Sequence, residues 1–415
     1  MILKNCRLVP ELCEGFQEEM VDIRVEGNAI AEILPAGGNY TLEQTTPPPL
    51  YSKQDEAPAK DDSMETTNII DCAGMTVLPG LFNIHCHLFF NAMGMDTPPF
   101  PMQSEYMHLS NSYRYMQRLL AYGYTSLRDV GTPWNCAIKL RDSVNAGEIV
   151  GPDIKACGNI LVPDQVAPPL PYSNLYGMAV NDPFLMRAAV RKTVQDGADF
   201  IKILGCSVKG DWAKRGTGSL FYPDEMDELV NAVKREGVYL AVHTDNEESN
   251  SLANQYEVYS IEHGHCWTQK NMDEYIAHGR KSAFVPTLSI CSPWGGEDAV
   301  RYKCSGLRMP YEDGALIGWG TDDPQPLFMQ EPGMEFRLRE KILGLPKVEI
   351  LKQATINSAR INQTDGERGS IKVGKRADFA IFDGKPDEDL GLFNMPPAYV
   401  IKDGQVVARD GFVKM

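Results

Sequence analysis

Positive charge is scarce in this 415-residue chain: 40 Lys and Arg stand against 56 Asp and Glu, a formal net charge of −16. That acidic excess argues against a polyanionic partner, so nucleic acid and anionic membrane surfaces are set aside as ligands. Paired cysteines are lacking too. The ten Cys show no Cys-x-x-Cys spacing and no dense cluster, which points to reduced thiols in a cytoplasmic setting. No uncharged stretch suits a bilayer. Residues 72–95 carry no formal charge, but Pro79, Gly80, Asn83, His85, His87 and Asn91 interrupt them, and a lipid-embedded helix does not tolerate that polarity. Residues 1–8 contain no long apolar core followed by small residues, so they read as a first β-strand rather than a secretory leader. Repeats at solenoid periods are absent as well.

What is present is a folded α/β pattern. Apolar residues make up 43% and charged residues 23%, ordinary values for a globular protein. Three short strand-like runs open the chain, with Glu26-Gly27-Asn28 as a turn between the last two. Residues 37–67 then become rich in Pro, Glu, Lys, Thr and Ser, which predicts an exposed insertion loop. Beyond them, short apolar runs alternate with amphipathic stretches, as in parallel sheets buried on both faces. The runs are 76–84, 124–130, 154–160, 199–204, 238–242, 259–262, 283–288 and 315–320, eight in all, the number that closes a TIM barrel. Helices are predicted over 183–196, capped at Asn181-Asp182, and over 223–236, with Pro223 early. The 289–314 crossover holds Pro293, Gly295-Gly296 and Pro310, against a long helix. The last fifty residues return to strand chemistry, with Asp403-Gly404 as a type I′ turn. The expected fold is α/β: a (β/α)8 TIM barrel over 68–364, with a small β-sandwich domain formed by 1–67 and 365–415.

Histidine is sparse, with seven in the chain, at 85, 87, 108, 243, 263, 265 and 278. His85 and His87 end the first barrel strand, His243 the fifth and His263 the sixth, the rim where barrel enzymes place catalytic groups. Residues i and i+2 share a face of a strand, so His85 and His87 can reach one cation, although each could also be a structural side chain. Lys202 lies in Phe200-Ile201-Lys202-Ile203-Leu204, where a buried ammonium would cost several kcal/mol. It can snorkel, pair with an acid, or lose its proton and add carbon dioxide as a carbamate. Asp322 follows Gly318-Trp319-Gly320-Thr321 and either caps a turn or faces a ligand.

The order HxH, Lys, His, His, Asp resembles the amidohydrolase superfamily, as does Leu78-Pro79-Gly80-Leu81 ahead of His85-Cys86-His87. The runs beginning at Gly123, Gly197, Ile261, Gly320, Gly369 and Val400 are similar to imidazolonepropionase-like and Xaa-Pro dipeptidase-like metal-dependent hydrolases. The resemblance implies two divalent metal ions, zinc fitting the imidazole-rich set best. His85, His87 and Asp322 would hold one ion, His243 and His263 the other, with carboxylated Lys202 bridging. It also implies a catalytic Asp322, which takes a proton from a metal-bridging hydroxide as that attacks an amide carbonyl and passes it to the departing amine.

The expected activity is binuclear cleavage of an amide C–N bond in a small peptide-like, N-acyl or cyclic substrate. Alternatives are a mononuclear deaminase or imidazolonepropionase-like ring opener, and a non-catalytic scaffold of the same fold. The dipeptidase-like Gly-Gly-His and His-Ala-Tyr-Thr runs are missing, and Asn83 replaces that family's Asp, so a dipeptide does not follow. By strand-end position alone, Asp129, Thr244, Asp245, His265, Thr287 and Asp323 are candidates for substrate contacts. Further expectations are an Arg128–Asp129 ion pair at the rim, surface positions for His108 and His278, and a Met-rich pocket wall from Met93, Met95, Met102 and Met107. A lid over 205–218 is also expected, as is a completed ligand set that leaves no soft site at His265-Cys266. Assembly into a homo-oligomer is left open.

Overall fold

The computed structural model describes residues 1–37, 69–89, 104–162, 177–180, 182–206 and 220–414. The 37–67 insertion beyond Gly37, most of the 205–218 lid, and Met93, Met95 and Met102 therefore lie outside the described residues.

The early strands are β1 (Ile2–Arg7), β2 (Met20–Glu26), β3 (Ala29–Pro35), β4 (Ile69–Asp71) and β5 (Thr76–Pro79). Next come β6 (Leu81–Cys86), β7 (Tyr124–Asp129), β8 (Asp153–Ala156), β9 (Ile160–Val162) and β10 (Gly177–Ala179). They are followed by β11 (Ile201–Leu204), β12 (Leu240–Thr244), β13 (Ser260–His263) and β14 (Ala283–Val285). The chain closes with β15 (Phe379–Phe382), β16 (Tyr399–Lys402), β17 (Gln405–Arg409) and β18 (Phe412–Val413).

Both ends of the chain enter one mixed sheet, ordered β18-β17-β16-β15-β5-β1-β2-β3, with β4 also paired to β1. Alternation in these strands turns Leu3, Val21, Ile23, Val77, Phe379 and Ile401 into a shared core. Lys402 pairs with Gln405 across Asp403-Gly404, both at positive φ (50° and 73°), as a type I′ turn requires. Arg7 on β1 also reaches Asp387 through two parallel bonds of 2.7 and 2.8 Å, tying the first strand to the C-terminal segment.

The central strands pair in parallel as β6-β7-β8 and β10-β9-β11-β12-β13-β14. Backbone bonds span the intervals: Asp199 N–H to the Ala156 carbonyl (2.8 Å) on one side, and Phe284 N–H to Leu316 (2.9 Å) and Ile84 N–H to Trp319 (2.8 Å) on the other. The fold class is α/β, a TIM-type barrel accompanied by a β-sandwich. Register sets the rim: Leu204 lies opposite His243, and His243 opposite Glu262, so the ends of β11, β12 and β13 stand level.

Several strands differ from expectation. The 76–84 run is two strands serving two sheets, split at Gly80. Its N–H bonds the Asp378 carbonyl in one direction while Leu81 N–H bonds Gly123 in the other. A Cβ at Gly80 would stand 2.0 Å from Thr125 Oγ1, so only glycine permits the crossing. The 154–160 run is also two strands, broken by Gly158 at φ +66°. Residues 315–320 form one isolated bridge, Phe284 to Ile317, rather than a regular strand. Gly318 and Gly320 contribute no side chains to hold a pleat there.

The helices Pro183–Gln195 and Pro223–Glu236 form where predicted, the first capped by Asp182 accepting from Leu185 N–H at 2.8 Å. The 289–314 crossover contains only short helices, Gly296–Cys304 being the longest. His108, expected at the surface, is instead fully buried on the inner face of the helix Glu105–Ala121, its ring 4.9 Å from that of Trp134. No helix among the described residues is long and apolar enough to cross a membrane.

Burial acts to raise the Asp387 carboxyl, but Arg7 overcomes this and holds it below its ordinary value. A depressed carboxylate stabilises the fold above its unfolded pKa of about 4 and loses that contribution as pH falls through the folded value. Urea midpoints should therefore decline more steeply on acidification below about pH 4 in wild type than in Arg7→Met; parallel curves would show that the pair contributes nothing.

Candidate metal centre

The expected ligand-type side chains meet at one end of the parallel strands. Ligand atoms of His85, His263 and Asp322 all lie within 4.8 Å of one another. Asp322 Oδ1 stands 3.5 Å from His87 Nε2 and 3.8 Å from His85 Nε2. The His263 ring lies 4.4 Å, centroid to centroid, from those of both His85 and His243. Lys202 is 1% exposed on β11, and its ammonium acts electrostatically on His85, His87, His263 and Asp322.

The imidazoles are held in ligand-competent form. His85 Nδ1 donates to Glu262 Oε2 at 2.7 Å, His87 Nδ1 to the Gly131 carbonyl at 2.6 Å, and His263 Nδ1 meets Thr287 Oγ1 at 2.6 Å. With each Nδ1 engaged, Nε2 carries the lone pair toward the shared space, the arrangement by which outer partners orient metal-binding histidines. Burial, reinforced by Lys202, pushes His87 down to about 3 and His85 well below its ordinary value. Burial and the His243 ring do the same to His263. All three are therefore neutral at pH 7, as metal binding demands.

The donor set fits cations. His85 Nε2 and Asp322 Oδ1 are buried polar atoms with no hydrogen-bond partner among the described residues, a costly condition that a bound ion would relieve. Burial pushes the Asp322 carboxyl up to about 7, against the opposing pull of Lys202. Two of these residues also sit in the left-handed region, His263 at φ 67° and Asp322 at φ 56°. Each such position costs on the order of 1–3 kcal/mol and persists where the surroundings hold it. Gly320 permits the approach: a Cβ there would fall 2.5 Å from His85 Cβ.

The six candidates for substrate contacts all come to the rim, and each is at most 3% exposed. Asp129 accepts from Leu88 N–H, Gly131 N–H and Thr132 Oγ1, pinning the loop after β6. Thr244 donates to the Glu262 carbonyl, and Thr287 meets His263. Asp323 presents its carbonyl to Tyr115 Oη at 2.7 Å. Asp245 and His265 bond each other at 2.7 Å. The expected Arg128–Asp129 pair is not formed. Adjacent residues of a strand project to opposite faces, and Arg128 instead donates to Glu262 Oε1 at 2.6 Å, to Ser260 Oγ and to the Ile84 carbonyl.

Glu262 is the residue that sequence reasoning missed. Lying between Ile261 and His263, it was overshadowed by the histidine, yet it joins Arg128 and Ser260 to His85 in a fully buried network. Arg128 overcomes the effect of burial and keeps this carboxyl well below the usual range. Also missed were Lys303, which donates to Asp245 at 2.9 Å, and Glu335, which accepts from Leu288 and Ser289 N–H.

The sequence profile of the Amidohydrolase family matches residues 76–407, spanning this rim together with β5, β15, β16 and part of β17 of the end-built sheet. The chain belongs to the Amidohydrolase family. Imidazolonepropionase of Sphingopyxis alaskensis is 23% identical over 388 residues, 84% of this chain and 89% of the relative. Among solved structures, a Xaa-Pro dipeptidase with methionine bound in its active site superposes with a TM-score of 0.78 at 26% identity, covering 98% of both chains. Ochratoxinase of A. niger shares the fold, with a TM-score of 0.75 at 19% identity over 98% of this chain and 95% of that one. This amidohydrolase is thus a hydrolase acting on carbon–nitrogen bonds.

In Glu262→Gln, Arg128 is left buried without its counter-charge, which should cost this amidohydrolase about 3–5 kcal/mol. Adding Arg128→Met should recover part of that loss, since the two effects are coupled. Urea denaturation of the single and double variants measures both. Simple additivity would show that the pair is not the linchpin of the rim.

Proposed function

We propose that this amidohydrolase is a binuclear metal enzyme that cleaves an amide C–N bond in a small peptide-like, N-acyl or cyclic substrate. The observation that carries this reading is the convergence of His85, His87, His263 and Asp322 around buried Lys202, with His85 Nε2 and Asp322 Oδ1 left without hydrogen-bond partners among the described residues. His85, His87 and Asp322 would hold one divalent ion, zinc suiting the donors best, and His243 and His263 the other. Burial lowers the basicity of Lys202, which makes its neutral amine available to add carbon dioxide and supply a bridging carbamate. When bound, the ions would polarise the scissile carbonyl and lower the pKa of a water.

The chain's own groups do the remainder. Glu262 and Thr287 keep His85 and His263 in place through Nδ1. Asp322 Oδ1, facing both His85 and His87, is placed to take up the proton released on attack and deliver it to the departing nitrogen, since an amine leaves only once protonated. The side-chain hydrogen bonds of Asp129, Thr244 and Thr287 to protein groups favour a supporting role for these three at the rim. A second reading, a mononuclear ring-opening hydrolase, is favoured by the imidazolonepropionase relative that spans most of the chain. It needs no bridging Lys.

Lys202→Ala should lower bound metal by about one equivalent or more per chain relative to wild type, and bicarbonate should raise metal uptake in wild type only. Unchanged content in the variant would move the assignment to the mononuclear reading. With dipeptides and N-acyl amino acids as the first substrates screened, Asp322→Asn should reduce turnover on the order of 10²–10⁴-fold; wild-type rates would remove Asp322 from proton transfer.

A further inference from the structure

A second set of donors converges beside the imidazole centre without sharing a ligand with it. We propose that His265, Cys291 and Cys304 form a separate site for a thiophilic d10 cation of the zinc(II) or copper(I) class, which clamps the 289–304 crossover to the barrel rim. All three residues are buried, and their ligand atoms lie within 4.8 Å of one another. His265 Nε2 stands 3.5 Å from Cys291 Sγ. A tetrahedral ion with bonds of about 2.05 Å to nitrogen and 2.3 Å to sulfur sets those two atoms about 3.6 Å apart. The observed spacing needs almost no adjustment.

The surroundings have the form of an outer shell. His265 Nδ1 donates to Asp245 Oδ1 at 2.7 Å, which fixes the ring and directs Nε2 at the sulfurs, the carboxylate–histidine pattern that supports metal ligands. Lys303 Nζ bonds the same oxygen at 2.9 Å and balances its charge. Two thiolates then offset a dication, and binding releases their protons. Nε2 also faces the Thr287 carbonyl at 3.2 Å, a contact that the cation would replace. Donors of this softness select against the harder ions that imidazole and carboxylate accept.

The clamp has something to hold. His265 follows β13, Cys291 lies in the turn Ser289–Trp294, and Cys304 ends the helix Gly296–Cys304. Short helices gain little stability from propensity alone, so a cross-link of three elements is where a cation contributes most. Thr287 lies between the two centres, its hydroxyl on His263 and its carbonyl facing His265, and those two rings are 5.2 Å apart.

Cadmium(II), added to the full-length zinc-loaded protein, is the probe, read by sulfur-to-cadmium charge-transfer absorption in the ultraviolet. The imidazole centre offers no thiol, because Cys86 Sγ turns away to the Arg128 carbonyl at 3.6 Å. A sulfur band therefore does not arise from the imidazole centre, whichever way the reading of that centre falls, and its loss on substitution of Cys291 and Cys304 separates it from the Cys6–Cys72 pair, whose Sγ atoms are 3.5 Å apart. The expected result is a band saturating near one equivalent per chain, lost in Cys291→Ser and in Cys304→Ser, and retained in Cys13→Ser. Absence of the band from wild type overturns the proposal with no variant required to fold, and so does a band that survives in both Cys291→Ser and Cys304→Ser.

Discussion

The guanidinium of Arg128 and the carboxylate of Glu262 meet inside the barrel with no exposure on either side chain. A fully buried pair of this kind survives only if its remaining hydrogen-bonding capacity is satisfied. Here it is. Arg128 also donates to the Ile84 carbonyl and to Ser260, while Glu262 accepts from Ser260 and His85. The network therefore joins β6, β7 and β13 at the level where His85 leaves its strand. A hydrophobic replacement could fill the same volume, but it could not dictate which nitrogen of His85 carries the proton.

The rest of the site follows from that dry interior. Burial keeps His85, His87 and His263 neutral, so these three rings face one another without mutual charge repulsion, and it also lowers the basicity of Lys202. Two of the twelve non-glycine residues at positive φ among the described residues, His263 and Asp322, stand in the same place. Strained ligand positions held by a rigid frame are a recurrent feature of functional sites. The frame here is the register of β11, β12 and β13 together with the close contact that Gly320 allows with His85.

Much of this was legible in the sequence because parallel strands buried on both faces read as short apolar runs, and polar residues at their ends stand out. His85, His87, Lys202, His243, His263 and Asp322 were legible in that way. Glu262 was not, because strict alternation places it on the face opposite His263, and the left-handed backbone at His263 breaks that alternation. Arg128 was assigned to its neighbour Asp129 for want of any sign that its partner lay across the barrel on β13. Cys291 and Cys304 stand in a crossover with no ligand-like spacing, and only folding brings them to His265. Strand limits at Gly80 and Gly158 were hidden inside continuous apolar runs, since hydropathy does not show where a chain changes sheets.

The crossing at Gly80 has a mechanical meaning. β5 pairs with β1 and β15 in the end-built sheet, β6 pairs with β7 in the barrel, and one glycine separates them. A disturbance of the terminal sheet is transmitted along the main chain directly into the strand that carries His85 and His87. Loosening of the sheet by heat or denaturant is therefore felt, one residue further on, in the strand that carries His85 and His87.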